Sequence, residues 1–159
     1  MTIPSWLPSL AATVIPALFV AVITAVVTVK LSLRRFYTER WWERKAEAYT
    51  RIIECLYHIK AYSDSKVPEY LEGAEYSPER KQKLSEEYAA AHRDLDKTTA
   101  IGSYIICDHA AQILDELKKR PGLSWENNPP WEIFEDDAKA YGEALNKLRA
   151  VAKKDLGVQ

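Results

Sequence analysis

Charged residues are missing from the first part of the chain, and glycine, proline and cysteine are scarce throughout. Residues 1–29 contain no Asp, Glu, Lys or Arg, so all 22 basic and 23 acidic residues lie in residues 30–159. Five glycines and eight prolines are too few for an all-β domain with many tight turns. Two cysteines cannot build a disulfide framework. The net charge of −1 excludes a broadly basic nucleic-acid-binding chain.

The uncharged region contains an apolar run of membrane-spanning length. Residues 10–29 read LAATVIPALFVAVITAVVTV, which as a helix would cover about 30 Å. Basic residues follow the run and do not precede it, which favours a retained transmembrane helix over residues 10–30 rather than a cleaved signal peptide. The same charge order predicts that residues 1–9 face outward and residues 31–159 face the cytoplasm.

Basic and aromatic side chains are concentrated just after this run. At a membrane surface they would contact lipid headgroups, and this predicts a lipid-interface set of Lys30, Arg34, Arg35, Arg40, Trp41, Trp42, Arg44 and Lys45. An ordinary topology signal would explain the same residues. No nucleic acid is expected as a partner, because residues 63–159 hold 14 basic and 19 acidic residues.

Small residues recur along the apolar run. Ala17, Ala21 and Ala25 follow one another at every fourth position, a spacing that lets two helices approach closely in lipid. Self-association through this face would give a homo-oligomer. The alternative is that alanine is simply common in membrane helices.

The charged part of the chain shows the periodicity of three amphipathic helices. Apolar residues recur in steps of three and four over residues 31–62, 78–119 and 129–156. Ser77 and Asn128 precede prolines and are predicted to cap the second and third helices, and residues 63–76 read as a loop. The predicted fold is all-α, a transmembrane helix continuing into a cytoplasmic antiparallel three-helix bundle over residues 31–159.

No motif for catalysis, metal binding or phosphate binding is present. The sequence has no Glu-x-x-His, no H-E-x-x-H and no glycine-rich phosphate loop, so no catalytic residue, metal or cofactor is expected. His109 is expected to be hydrogen-bonded inside the bundle, and His58 and His92 to be partly exposed. Cys55 and Cys107 are expected to be buried thiols, with a Cys55–His109 pair as the alternative.

Two tryptophans flank a polar, proline-rich segment. Trp125 and Trp131 lie six residues apart in SWENNPPWE. Exposed tryptophans often anchor interfaces, so these residues are candidates for contact with a partner. The alternative, which we favour, is that both fold back over the open end of the bundle.

The basic segment also carries a resemblance. The stretch RRFYTERWWERKAEAYTRIIECLYHIK, placed after one apolar helix, resembles a group of uncharacterised bacterial single-pass membrane proteins, and the later segment IGSYII is similar to theirs. The resemblance implies an inner-membrane protein of bacteria with a helical cytoplasmic part. It implies no activity and no functional residue.

These observations together predict a non-catalytic interaction module. The chain would tether or regulate an unknown protein partner at the bacterial inner membrane, with membrane lipids as further partners. The alternative is a self-assembling effector, in which several copies of residues 10–29 form a pore or disrupt the membrane.

Overall fold

The computed structural model describes the backbone of residues 7–102 and 104–158, and the side chains of residues 21–100, 102 and 104–158. The chain forms four helices: α1 (Leu7–Leu71), α2 (Pro78–Gly102), α3 (Asp108–Lys119) and α4 (Pro130–Leu156). It is 84% helical, with no strand in the described residues, which confirms the all-α prediction. The chain divides within α1 into two units, Met1–Trp42 and Glu43–Gln159.

The prediction of a transmembrane helix over residues 10–30 is corrected here. Part of the predicted span, residues 10–20, lies outside the described side chains. None of the described helical segments is long and apolar enough to cross a membrane. This finding contradicts the predicted location, a single-pass bacterial inner-membrane protein with its N-terminus outside and residues 31–159 in the cytoplasm.

In the first unit, every described side chain from residue 21 to residue 42 is exposed. The local contacts are those of neighbouring turns of one helix. Arg35 Nε donates to Glu39 Oε1 at 2.9 Å, and the Arg40 guanidinium lies 5.4 Å from the centre of the Phe36 ring. Such exposed pairs contribute a few tenths of a kcal/mol each.

In the second unit, α1, α3 and α4 supply the main core. The largest fully buried side chains are Tyr49, Ile52, Leu56 and Ile59 of α1, together with Leu148 of α4. The other buried apolar residues of the main cluster are Ala48, Ile106, Ala110, Ile113, Leu114, Ala144, Leu145 and Ala152. Ile59 belongs to a second cluster, with Cys55 and Ala91. In α2, Ala91 is the one fully buried hydrophobic side chain among those described. Among the described residues, α2 thus supplies fewer buried apolar side chains than any other helix.

α1 extends beyond the predicted end at residue 62 and includes most of the predicted loop. Tertiary contacts stabilise its last turns in spite of Pro68. The Tyr70 ring stacks on Phe134 of α4 at 5.7 Å. Glu69 accepts hydrogen bonds from Lys66 in its own helix and from Lys81 of α2, each at 2.7 Å.

The predicted helix over residues 78–119 is two helices in the structure. α2 ends at Gly102, whose carbonyl accepts from the backbone N–H groups of Ile105 and Ile106 at 2.8 and 3.0 Å. The chain then turns, and α3 begins at Asp108. The turn changes which residues face the core, so that Ala110 is buried and His109 is exposed. Close packing does not require a glycine at position 102, since a Cβ there would meet nothing within 4 Å.

The cap predicted for α2 is confirmed, and the cap predicted for α4 is wrong. Ser77 Oγ accepts from the backbone N–H of Arg80 at 3.3 Å and caps α2. Asn128 does not cap α4, because the N-cap residue is Pro129. The Asn128 amide instead donates to the Ser124 carbonyl at 3.0 Å and closes the preceding loop.

Candidate functional site

A cleft of about 610 Å³ lies between α1 and α2 in the second unit. On α1 it extends from Arg44 to His58, which at the helical rise is about 21 Å. On α2 it extends from Glu87 to Gly102, and Ile105, which follows α2, also lines it. The cleft is thus elongated along the two helix axes, and its volume falls within the range of ligand sites in proteins.

The floor of the cleft consists of small side chains. Ala48 and Cys55 lie on the α1 side, and Ala90 and Ala91 lie on the α2 side. Larger side chains at these positions would close the gap between the helices, because a helix pair packs at a distance set by its contact residues. The cleft therefore follows directly from residue size.

Charged side chains form the rim. Arg51 pairs with Glu47 at 2.8 Å, which neutralises both charges within α1. In the middle of the cleft, burial raises the pKa of the Cys55 thiol, and the carboxylates of Asp94 and Glu54 raise it further. Both carboxylates thus lie close to Cys55. Within the described part of the chain, neither of them forms an ion pair.

The cleft brings together a cysteine, a histidine and a carboxylate. His58 Nδ1 lies 3.2 Å from Glu87 Oε2, and Cys55 is one turn before His58 on α1. A nucleophilic cysteine requires a thiolate, which a lowered pKa favours. The pKa of Cys55 is raised instead, so this arrangement does not favour a thiolate at Cys55.

One expectation about the histidines was wrong: His109 is exposed and does not line the cleft, so it cannot pair with Cys55 there. His92 is partly exposed, as expected. Its ring lies 4.6 Å from Tyr88 and 6.0 Å from Tyr141, and its Nε2 atom is buried without a hydrogen-bond partner. Cys107, expected to be buried, is half-buried, and its Sγ atom lies 3.4 Å from Tyr49 Oη.

The predicted lipid-interface residues fall in both units. In the first unit Lys30, Arg34, Arg35, Arg40, Trp41 and Trp42 are exposed. In the second unit Arg44 lines the cleft. Lys45 is largely buried and donates to Asp155 Oδ1 at 2.7 Å, so its side chain serves the fold and not a surface.

Of the residues predicted for self-association, Ala17 lies outside the described side chains, and Ala21 and Ala25 are exposed.

Of the predicted partner contacts, Trp125 is 63% exposed and meets the Phe134 ring edge-on at 5.7 Å, whereas Trp131 is half-buried. The two tryptophans therefore do not form one exposed surface.

The sequence contained a signal for the cleft that periodicity does not capture. Ala48, Cys55 and Ala91 all belong to the apolar stripes of their helices. Periodicity alone predicts that every position of such a stripe lies in the core. Side-chain size separates cleft positions from filled core positions, because small residues facing each other on two helices leave space that Leu or Ile would fill.

No group of His, Cys, Asp or Glu in the described residues is arranged to hold a metal ion. Comparison with known proteins gives no relative: no family model matches the sequence, no curated protein matches it, and no solved structure matches it. Any function for this chain therefore has to be argued from its own residues.

Proposed function

We propose that the protein is a non-catalytic helical interaction module, and that the cleft between α1 and α2 binds an amphipathic helix of a protein partner. The observation that carries the proposal is the cleft itself, with its small floor residues and charged rim. Its length of about 21 Å corresponds to about four turns of helix.

The floor specifies the apolar face of the partner. Grooves of this kind take helices whose large apolar side chains recur at positions i, i+3, i+4 and i+7. Ala48, Cys55 and Ala91 offer apolar surface without filling the space above it. A leucine or phenylalanine of the partner would gain roughly 1.5–3 kcal/mol when its side chain is fully buried there.

The rim specifies the charge of the partner. The cleft is lined by three basic side chains, Arg44, Arg51 and Lys97, and by four acidic ones, Glu47, Glu54, Glu87 and Asp94. Glu54 and Asp94, near the middle, make no ion pair among the described residues and are exposed. Charge complementarity therefore favours a partner helix with lysine or arginine beside the centre of its apolar stripe.

Two synthetic peptides test this proposal on the full-length chain. Both are helices of about 15 residues with the same leucine stripe, one flanked by lysines and the other by glutamates. We expect the lysine peptide to bind about fivefold more tightly, since each exposed ion pair contributes up to about 1 kcal/mol. Fluorescence titration measures the two dissociation constants.

Matched variants separate the cleft from the rest of the surface. Ala90→Trp places a large side chain in the cleft and should abolish binding of the lysine peptide, whereas Ala89→Trp, on the exposed side of the same helix, should not. The double change Glu54→Lys with Asp94→Lys should reverse the peptide preference, and Glu143→Lys on exposed α4 surface should leave it. Equal binding of both peptides, or binding that survives Ala90→Trp, would show that the proposal is wrong.

A further inference from the structure

The two helices α1 and α2 run in opposite directions along the cleft that they form. At one end, His58 Nδ1 of α1 lies 3.2 Å from Glu87 Oε2 of α2. Toward the other end, the backbone N–H of Cys107, which follows α2, donates to Tyr49 Oη of α1 at 3.2 Å. The order of residues along each helix therefore gives their order along the cleft, with Arg44 at the end opposite His58.

Charged side chains are separated along this length. The half of the cleft toward Arg44, the basic half, contains three basic side chains and one acidic one: Arg44, Arg51, Lys97 and Glu47. The half toward His58, the acidic half, contains three acidic side chains and the histidine: Glu54, Glu87, Asp94 and His58. Opposite charges thus predominate in the two halves of one cleft.

The charges without a partner show the same separation. Within the cleft and its rim, Glu47 pairs with Arg51, and Glu87 contacts both His58 and Lys83. Four exposed side chains of the cleft form no ion pair with any described residue: Glu54 and Asp94 in the acidic half, and Arg44 and Lys97 in the basic half. A bound helix of about four turns spans both halves, so it meets two unpaired anions and two unpaired cations.

We propose that the cleft selects a partner helix whose charges are segregated along its length. Lysine or arginine lies in the half of the partner that covers Glu54 and Asp94, and aspartate or glutamate lies in the half that covers Arg44 and Lys97. In the reverse orientation like charges would meet in both halves, which opposes binding. This orientation preference rests on the proposed function, because it concerns the same partner helix.

Two synthetic peptides of opposite charge order test the preference on the full-length chain. Both carry the same leucine stripe over about 15 residues. One has lysines in its N-terminal half and glutamates in its C-terminal half, and the other has the reverse order. We expect each peptide to place its lysine half over the acidic half of the cleft, so that the two peptides bind in opposite directions.

A nitroxide label at one end of each peptide reports the orientation through the methyl NMR resonances of the cleft alanines. Ala48 lies in the basic half, and Ala90 and Ala91 lie in the acidic half. A label at the lysine end should broaden Ala90 and Ala91 more than Ala48, and a label at the glutamate end should do the reverse. The measurement is made at low ionic strength, because salt screens exposed charges.

Variants connect the orientation to the four unpaired charges. A quadruple variant exchanges the charges of the two halves at constant net charge and should reverse the orientation of both peptides: Arg44→Glu, Glu54→Lys, Asp94→Lys and Lys97→Glu. The control, Lys139→Glu with Glu143→Lys, exchanges two exposed charges of α4 outside the cleft and should leave the orientation unchanged.

Two kinds of negative result are distinguishable. If both peptides bind in the same chain direction, or if the folded quadruple variant keeps the original orientation, selection by charge is wrong while the cleft still binds a helix. If neither peptide shifts the methyl resonances of Ala48, Ala90 and Ala91, the proposed function is wrong and the orientation preference with it.

Discussion

At the scale of single residues, one hydroxyl group joins three parts of the second unit. The Tyr49 hydroxyl of α1 donates to Asp155 Oδ2 of α4 at 2.6 Å and accepts from the backbone N–H of Cys107 at 3.2 Å. Lys45 donates to the other oxygen of Asp155. Burial acts to raise the pKa of Asp155, but the hydrogen bonds from Lys45 and Tyr49 outweigh it and lower that pKa.

Tyr49→Phe should therefore destabilise the fold. The change leaves Asp155 and the Cys107 N–H each without one partner, at a cost of about 1–3 kcal/mol. Urea unfolding followed by circular dichroism measures the difference. Tyr104→Phe, at a tyrosine that is 68% exposed, is the control and should change stability by less than about 0.5 kcal/mol. Similar values for the two variants would contradict the structural role of the Tyr49 hydroxyl.

His92 should make stability depend on pH. Its pKa lies below the ordinary value of 6.5, chiefly because of burial, although Asp96 and Asp137 act to raise it. The unfolded chain therefore binds a proton that the folded chain does not, and the free energy of unfolding falls as pH falls through and below about 6.5. Above that pH the contribution is fully present.

The comparison of variants isolates this effect. Burial raises the pKa of Asp137, which acts in the opposite direction, so the relevant quantity is the difference between the native chain and His92→Phe. Urea unfolding near neutral pH and near about pH 5 should show a smaller loss of stability in His92→Phe. His109→Phe should behave as the native chain does. Identical pH dependence in the native chain and His92→Phe would show that His92 is not held neutral.

At the scale of helices, two glycines at helix ends have different roles. Gly157 has a φ of 68° and ends α4, where the N–H of Val158 donates to the Lys153 carbonyl at 3.0 Å. Gly102 ends α2 without a positive φ, and a Cβ there meets no atom within 4 Å. Of the two positions, only position 157 requires a glycine, and the cause is its backbone conformation, not packing.

Alanine substitutions should separate these roles. Gly157→Ala should destabilise α4 by about 1 kcal/mol, because a Cβ is disfavoured in the left-handed conformation. Gly102→Ala should be neutral or stabilising by up to about 1 kcal/mol, through higher helix propensity. Thermal unfolding of the two variants compares them. A loss of stability in Gly102→Ala as large as in Gly157→Ala would indicate a tight contact at Gly102 that the structure does not contain.

The ends of helices could be predicted where the cause is local, and not where it is tertiary. Ser77 before Pro78 and Gly157 after α4 are caps that depend on adjacent residues. The turn between α2 and α3 depends on the Tyr49 hydroxyl, which lies 58 positions before Cys107. The last turns of α1 depend on Phe134 and Lys81. Periodicity along one segment contains no information about such distant partners.

At the scale of the whole molecule, the helical class could be predicted from periodicity and from the scarcity of glycine and proline. The proposed site could not be predicted in this way. The cleft arises because Ala48 and Cys55 face Ala90 and Ala91, and the pairing of helices has to be known before that is visible. The expectation that His92 is partly exposed is confirmed. Its ring contact with Tyr141 of α4 could not be predicted, because that contact joins distant parts of the chain.

The most direct test of the partner cleft is methyl NMR of the full-length chain with labelled alanines, during titration with the lysine-flanked peptide. Ala48, Ala90 and Ala91 lie in the cleft. Ala144 and Ala152 are buried in α4 and line no part of it. We expect the three cleft methyl resonances to shift and saturate together while those of Ala144 and Ala152 stay in place. Binding that shifts the α4 alanines and leaves the cleft alanines unchanged would contradict the proposed function.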